Sequence, residues 1–173
     1  WLIKRKGVEY LLRAVAEAQK SLPGIRLVIV GDGPEAPALR QLSTELQIDN
    51  LVTFQGAASR IEVRDLLQQA KALVLPSTEE GQGVVLLEAM ACGTPVIGSD
   101  VGGIPEVIVS GAGVLTPPKD VGMLAKAIHE VLSNMERWLE MSHTARTYVT
   151  TKYAPREIAR QYTAIYENLV HEN

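Results

Sequence analysis

The chain has 173 residues, 46% hydrophobic and 21% charged, with 17 basic against 20 acidic side chains and a net charge of -3. This excludes wholesale disorder, which needs low hydrophobicity and high net charge, and it lacks the basic excess of a nucleic-acid binder. One cysteine, Cys92, excludes an internal disulfide framework or a multi-cysteine metal site, and no apolar run approaches the roughly 18 residues that span a bilayer. The opening segment, Trp1–Gly7, has no long apolar stretch and does not read as a signal peptide. With no initiating Met, the chain is expected to begin mid-protein.

The elements alternate along the chain. Val8, Leu11, Leu12, Val15 and Ala16 recur at helical spacing until Pro23-Gly24 stops the helix. Arg26–Val30 reads as a buried strand and Gly31–Pro34 as a turn. Leu39, Leu42 and Leu46 mark a helix, Leu51–Phe54 a short strand, and Val63, Leu66, Leu67 and Ala70 another helical stripe. Ala72–Pro76 is expected as a strand, Val84–Ala91 as a helix, and Pro95–Ser99 and Gly113–Thr116 as two more strands. Asp120 stands where it can N-cap a helix. Two polar-rich helices follow, over Glu136–Thr150 and Pro155–Val170.

Strand-helix alternation with continuously apolar strands predicts an α/β fold, a Rossmann-like doubly wound parallel sheet covered on both faces. Residues 1–133 are expected to form this unit and residues 134–173 a helical C-terminal tail of the same domain. Ligands bind beyond the carboxyl ends of such strands. That directs attention to the loops at Gly31–Pro34, Gly56–Arg60, Ser77–Gly83 and Ser99–Pro105, and to the stretch just before Gly7.

The segment Pro76–Pro95, PSTEEGQGVVLLEAMACGTP, carries the most chemistry. Its helix is apolar all round except at Glu88 and is therefore expected to be buried. A buried carboxylate needs hydrogen-bond donors or a ligand. The two glycines of Glu80-Gly81-Gln82-Gly83 let backbone N–H groups approach a ligand at a helix N-terminus, which favours an anion. From the residues alone, a Gly-rich turn with Glu88 salt-bridged in the core reads equally well.

Glu80 and Glu88 with seven residues between them resemble the E-x7-E signature of retaining glycosyltransferases of the GT-B fold, glycosyl transferases group 1 of the family 4 type. Five further motifs follow the family's order. Lys6-Gly7-Val8-Glu9 resembles K-G-x-D/E, Gly31-Asp32-Gly33-Pro34 resembles G-x-G-P, and Phe54-Gln55-Gly56 resembles F-x-G. The run from Glu88 to Val96 resembles E-A-M-A-x-G-x-P-V, and Gly102-Gly103-Ile104-Pro105-Glu106 resembles G-G-x-x-E. The resemblance extends from Lys6 to about Pro117.

It implies the C-terminal, donor-binding half of a GT-B fold, a hexosyltransferase-type enzyme of polysaccharide or glycolipid biosynthesis that is inactive as this half alone. Glu88 would bond the ribose hydroxyls, since an ionised carboxylate can accept from both members of a diol. Glu80 would lie beside the donor sugar as a catalytic residue. Lys6 would grip the diphosphate and offset charge growing on the leaving group. The backbone of Gly83, Val84 and Val85 would add donors, and Gly56 and Ala58 would border the base. No metal or cofactor is implied; the substrate is a nucleotide diphosphate sugar. Guanine wants a carboxylate that Gly56–Arg60 does not offer, which favours UDP over GDP or ADP, although Glu62 or backbone could read guanine. The partner implied is an N-terminal acceptor domain, through which any membrane contact would come; a cytoplasmic location and no nucleic acid are expected.

The chain also departs from the family. The family's diphosphate arginine falls one residue before Trp1, and the strand leading to it is missing. In the order 3-2-1-4-5-6 that strand lies between Arg26–Val30 and Ala72–Pro76. A sugar-nucleotide epimerase, a glycogen-synthase-like enzyme and a non-catalytic nucleotide module are the competing readings. An NAD site is disfavoured because Gly31-Asp32-Gly33 supplies only half of G-x-G-x-x-G. The histidines His129, His143 and His171 read as solvated, Cys92 as a small buried residue, and Tyr162, Ile165, Tyr166 and Leu169 as packing.

Overall fold

The computed structural model describes residues 1–171, the side chains of residues 168, 170 and 171 excepted, and the reading of His171 therefore lies outside the described residues. The chain runs α1 (Val8–Ala18), β1 (Leu27–Val30), α2 (Ala36–Glu45), β2 (Val52–Gly56), α3 (Arg60–Gln69), β3 (Leu73–Leu75) and α4 (Val84–Ala91). It continues through β4 (Val96–Ser99), α5 (Ile104–Val107), β5 (Gly113–Thr116), α6 (Val121–Ser133), α7 (Met135–Lys152) and α8 (Pro155–His171). Each strand pair is parallel.

The period-2 pattern of the strands separates two cores. Val74 and Ile97 point into one, with Leu11, Leu12 and Val15 of α1, Leu39 of α2 and Leu124, Ile128 and Val131 of α6. Leu73, Leu75 and Val96 point into the other, with Leu67 of α3, Leu86 and Met90 of α4, Ile104 and Val107 of α5, and Ala145 and Val149 of α7. Helices on both faces of a parallel sheet are the doubly wound arrangement expected. Asp120 caps α6 as read, its Oδ1 accepting from the Met123 N–H at 2.9 Å.

The sheet is not continuous. β1 pairs only with β2, and β3, β4 and β5 form a second sheet, so β1 and β3 are not paired with each other. The expectation of strands covered on both faces fails at β1 and β2. Leu27, Ile29, Val52 and Phe54 face the first core, but Val28 is 44% exposed and Val30 38%, and Thr53 and Gln55 are exposed too. The second core does not reach beneath this pair, because α3 packs against α4.

The two C-terminal helices differ in how much they bury. α7 is built into both cores, Met141 joining the first and Ala145 and Val149 the second, and the Trp138 Nε1–H donates to the Lys71 carbonyl at 2.6 Å. Only α8 stands away. Tyr162, Ile165 and Tyr166 are 54–63% exposed, and the two tyrosine rings lie against each other with centroids 6.5 Å apart. No described helix is long and apolar enough to cross a membrane.

Candidate functional site

Trp1–Gly7 lies across the carboxyl ends of both sheets. The Leu2 N–H donates to the Asp32 carbonyl at 2.8 Å, and the Leu2 carbonyl accepts from the Glu35 N–H at 3.1 Å. Three residues on, the Arg5 carbonyl accepts from the Thr78 N–H at 2.7 Å. The segment is thus tied to the turn after β1 and to the loop after β3. The 3-10 turn Lys4–Lys6 ends on Gly7 at φ 63°, where a Cβ would lie 2.0 Å from the Pro76 carbonyl oxygen. A residue without a side chain is needed for this close approach.

That approach brings Lys6 to Glu80. The Lys6 Nζ donates to Glu80 Oε2 at 2.6 Å. The Ser77 hydroxyl donates to the same oxygen at 3.3 Å, and the Gly81 N–H donates to Oε1 at 3.2 Å. The Glu80 side chain is 14% exposed. Burial pushes its pKa upward, but the Lys6 hydrogen bond and charge, with Ser77 and Gly81, outweigh burial and hold the carboxyl below its ordinary value.

Directly after this pair comes the N-terminus of α4. Gly83 is its N-cap at φ 74°. The first-turn N–H groups of Val84 and Val85 have no intrahelical acceptor, and the helix dipole adds positive potential there. The expectation that α4 is buried all round is corrected. Leu86, Ala89 and Met90 are fully buried, whereas Val84, Glu88 and Ala91 form an exposed stripe at i, i+4 and i+7. The buried face is the one turned to β3, β4 and α7; the other borders a groove against α3. The Glu88 carboxylate is therefore not in the core and makes no hydrogen bond or ion pair among the described residues.

Glu88 instead lines a cavity of about 310 Å³ together with Ala58, Arg60, Val63, Arg64 and Cys92. Two of the expected binding residues, Ala58 and Glu88, thus share one hollow. Cys92 is half-buried there; burial pushes its thiol pKa up. Gly56 has a different part: its carbonyl accepts from the Gly31 N–H at 2.7 Å and ties the ends of β1 and β2 together. Glu62 has a structural partner. It completes a capping box, accepting from the Ser59 N–H at 2.7 Å while its own N–H donates to the Ser59 hydroxyl at 3.3 Å. Those bonds hold its carboxyl below the ordinary value.

A larger hollow, about 430 Å³, is lined by Gly111, Arg137, Glu140, His143 and Thr144 and by Gly113, the first residue of β5. It lies at the amino end of that strand. Ligands of open α/β sheets bind at the carboxyl ends, so the smaller cavity beside Glu88 is the candidate. Sequence reasoning missed Ser77, Arg60 and Arg64. A hydroxyl immediately beyond a strand end and two arginines four apart on one helix were the available signals.

The family model described as glycosyl transferases group 1 matches residues 2–148. The chain belongs to this family. It is 36% identical over 171 residues to N-acetyl-alpha-D-glucosaminyl L-malate synthase of Bacillus anthracis, covering 98% of this chain and 44% of that relative. It is 32% identical over 162 residues to glycogen synthase of Mycobacterium tuberculosis, covering 93% of this chain and 39% of that one. This group 1 chain superposes on HepE of Anabaena in complex with UDP with a TM-score of 0.88 and 27% identity, over 96% of this chain and 46% of that one. With sucrose-phosphate synthase of Thermosynechococcus elongatus the TM-score is 0.85 and the identity 32%, over 99% and 44%. The group 1 chain thus spans less than half the length of these relatives, and its fold is that of the C-terminal Rossmann-like half of GT-B glycosyltransferases.

Proposed function

We propose that this chain is the donor-binding half of a retaining glycosyltransferase that moves a sugar from a nucleotide diphosphate sugar to an acceptor held by a preceding domain. The observation that carries this is the meeting of Lys6 and Glu80 beside the N-terminus of α4. A cation, a carboxylate and unpaired N–H groups at a sheet's carboxyl end suit a diphosphate joined to a hydroxyl-rich sugar.

Lys6 and the N–H groups of Gly83, Val84 and Val85 grip the diphosphate. As the bond from the anomeric carbon to the phosphate oxygen breaks, they stabilise the charge growing on that oxygen. Glu80 faces the sugar, orienting its hydroxyls and stabilising positive charge at the anomeric carbon. Glu88 accepts the two ribose hydroxyls from its exposed stripe, with the base toward Ala58. No metal is assigned a role.

UDP is the favoured nucleotide. Glu62, the carboxylate nearest in sequence to the base loop, is held in its capping box, and the similar HepE structure contains UDP. The gap between β1 and β3 is read as the place of a strand from outside the chain. Calorimetry of this chain against UDP, GDP and ADP, alone and with sugars attached, tests the proposal. Binding is expected to UDP and to UDP-sugars; binding to none of the nucleotides would overturn it.

A further inference from the structure

The segment that presents Glu80 is tied at its start to Arg5 through the Thr78 N–H and is irregular beyond that point. Glu79, Gly81 and Gln82 are exposed, and Ser77–Gly83 forms no helix or strand. A neighbouring loop supplies a second tie. β4 ends at Ser99, and Asp100–Gly103 leads into α5. This loop is anchored at both ends: the Asp100 N–H donates to the Thr116 carbonyl at 2.8 Å, and Ile104 and Val107 of α5 are buried to 1% exposure or less.

From that anchor the loop lies directly on the glutamate's backbone. The Gly103 N–H donates to the Gly81 carbonyl at 3.0 Å. A Cβ on Gly102 would stand 1.8 Å from the Glu80 carbonyl oxygen, and one on Gly103 would stand 2.2 Å from the Gly81 carbonyl oxygen. Side chains do not fit at such distances, so two adjacent glycines are what permit the contact. On the other side, Ser77 is fully buried at the end of β3 and bonds Glu80 Oε2.

We propose that Gly102 and Gly103, together with Ser77, position Glu80: the glycine turn fixes its backbone from α5, and the serine hydroxyl fixes its carboxylate from β3. The inference rests on the donor-site reading of Glu80. None of the three residues touches substrate in this arrangement; they act through the carboxylate. Misplacing a reacting group by about 1 Å can cost on the order of a hundredfold in rate, so a turn that holds a carboxylate on an exposed loop matters to turnover.

The test uses Gly102→Ala, Gly103→Ala and Ser77→Ala in the full-length enzyme, with kcat, donor KM and UDP affinity measured. The Glu80 carboxyl resonance is titrated by NMR in the chain itself. Each folded variant is expected to lose about tenfold or more in kcat while UDP affinity stays within about twofold. The Glu80 titration should move up toward the ordinary carboxylate value. A merely structural role would lower thermal stability and leave kcat and the titration alone; that result in a folded Gly103→Ala or Ser77→Ala protein overturns the inference. Ser77→Ala carries the test if the glycine variants do not fold. Failure of the unmodified chain to bind UDP would sink the donor reading, while the titration would still decide the clamp.

Discussion

Lys6 Nζ and Glu80 Oε2 stand 2.6 Å apart although 74 positions separate them in sequence. Each neutralises the other before a ligand arrives. A diphosphate must compete with Glu80 for the ammonium, so Glu80→Gln is expected to tighten UDP binding by about two- to fivefold, the scale of a partly solvated pair. The same variant should lower turnover in the full-length enzyme if, as proposed, the carboxylate acts on the sugar in the transition state. Calorimetry and steady-state kinetics check both. Loss of UDP affinity with turnover intact would make Glu80 a nucleotide ligand instead.

The proposed contact of Glu88 with the ribose can be tested by one substitution. Its carboxylate is exposed and without a protein partner, so Glu88→Gln should leave unfolding free energy within about 0.5 kcal/mol of the unmodified chain. Nucleotide binding should weaken by roughly 1–3 kcal/mol, the value of lost charge-assisted bonds. Unchanged affinity in the folded variant would remove Glu88 from the site.

The same ion pair has a pH signature. The Glu80 carboxyl titrates below its ordinary value in the folded chain, so on acidification the unfolded chain takes up the proton first. The pair therefore contributes stability above the ordinary carboxylate range, and that stability is lost as pH falls through the lowered folded value. Lys6→Met should flatten the decline in Tm between about pH 5 and pH 3. Parallel melting curves for the two proteins would show that the pair is not formed in solution.

Two core changes measure how firmly α4 is held. Leu86 of α4 is fully buried in the second core, with Leu75 of β3 and Ile104 of α5, and Leu86→Ala should cost about 2–5 kcal/mol in urea unfolding. The Thr94 hydroxyl donates to the buried Leu67 carbonyl at 2.6 Å, tying α3 to the turn after α4. Thr94→Val orphans that carbonyl, with an expected loss of about 1–3 kcal/mol. Losses below about 0.5 kcal/mol would contradict the packing described.

The exposed face of α8 should make this chain self-associate. Tyr162, Ile165 and Tyr166 lie on it, each more than half exposed. Sedimentation is expected to show a concentration-dependent species that Tyr162→Ser with Ile165→Ser abolishes. A monomer at all concentrations in the unmodified chain would refute this.

Element order, the two-faced helix packing and the N-cap at Asp120 were legible in the sequence because they follow from local pattern: apolar spacing, Pro-Gly stops and a capping side chain. The strands and helices for which residue ranges were read lie within two residues of those ranges. The pairing of Lys6 with Glu80 and the contacts of Gly102 and Gly103 with the Glu80-Gly81 backbone were decided only by the tertiary structure, since they join segments far apart in the chain or in different loops, and the Ser77–Glu80 bond, though local, depends on how an irregular loop folds. So was the exposure of Glu88. An apolar helix pattern states how much surface can be buried, but which stripe of α4 meets β3, β4 and α7 depends on where those elements lie. The bare face of β1 has the same origin: Leu27–Val30 is apolar enough to be buried on both sides, yet burial needs a neighbour, and neither α3 nor a strand beside β3 covers Val28 and Val30.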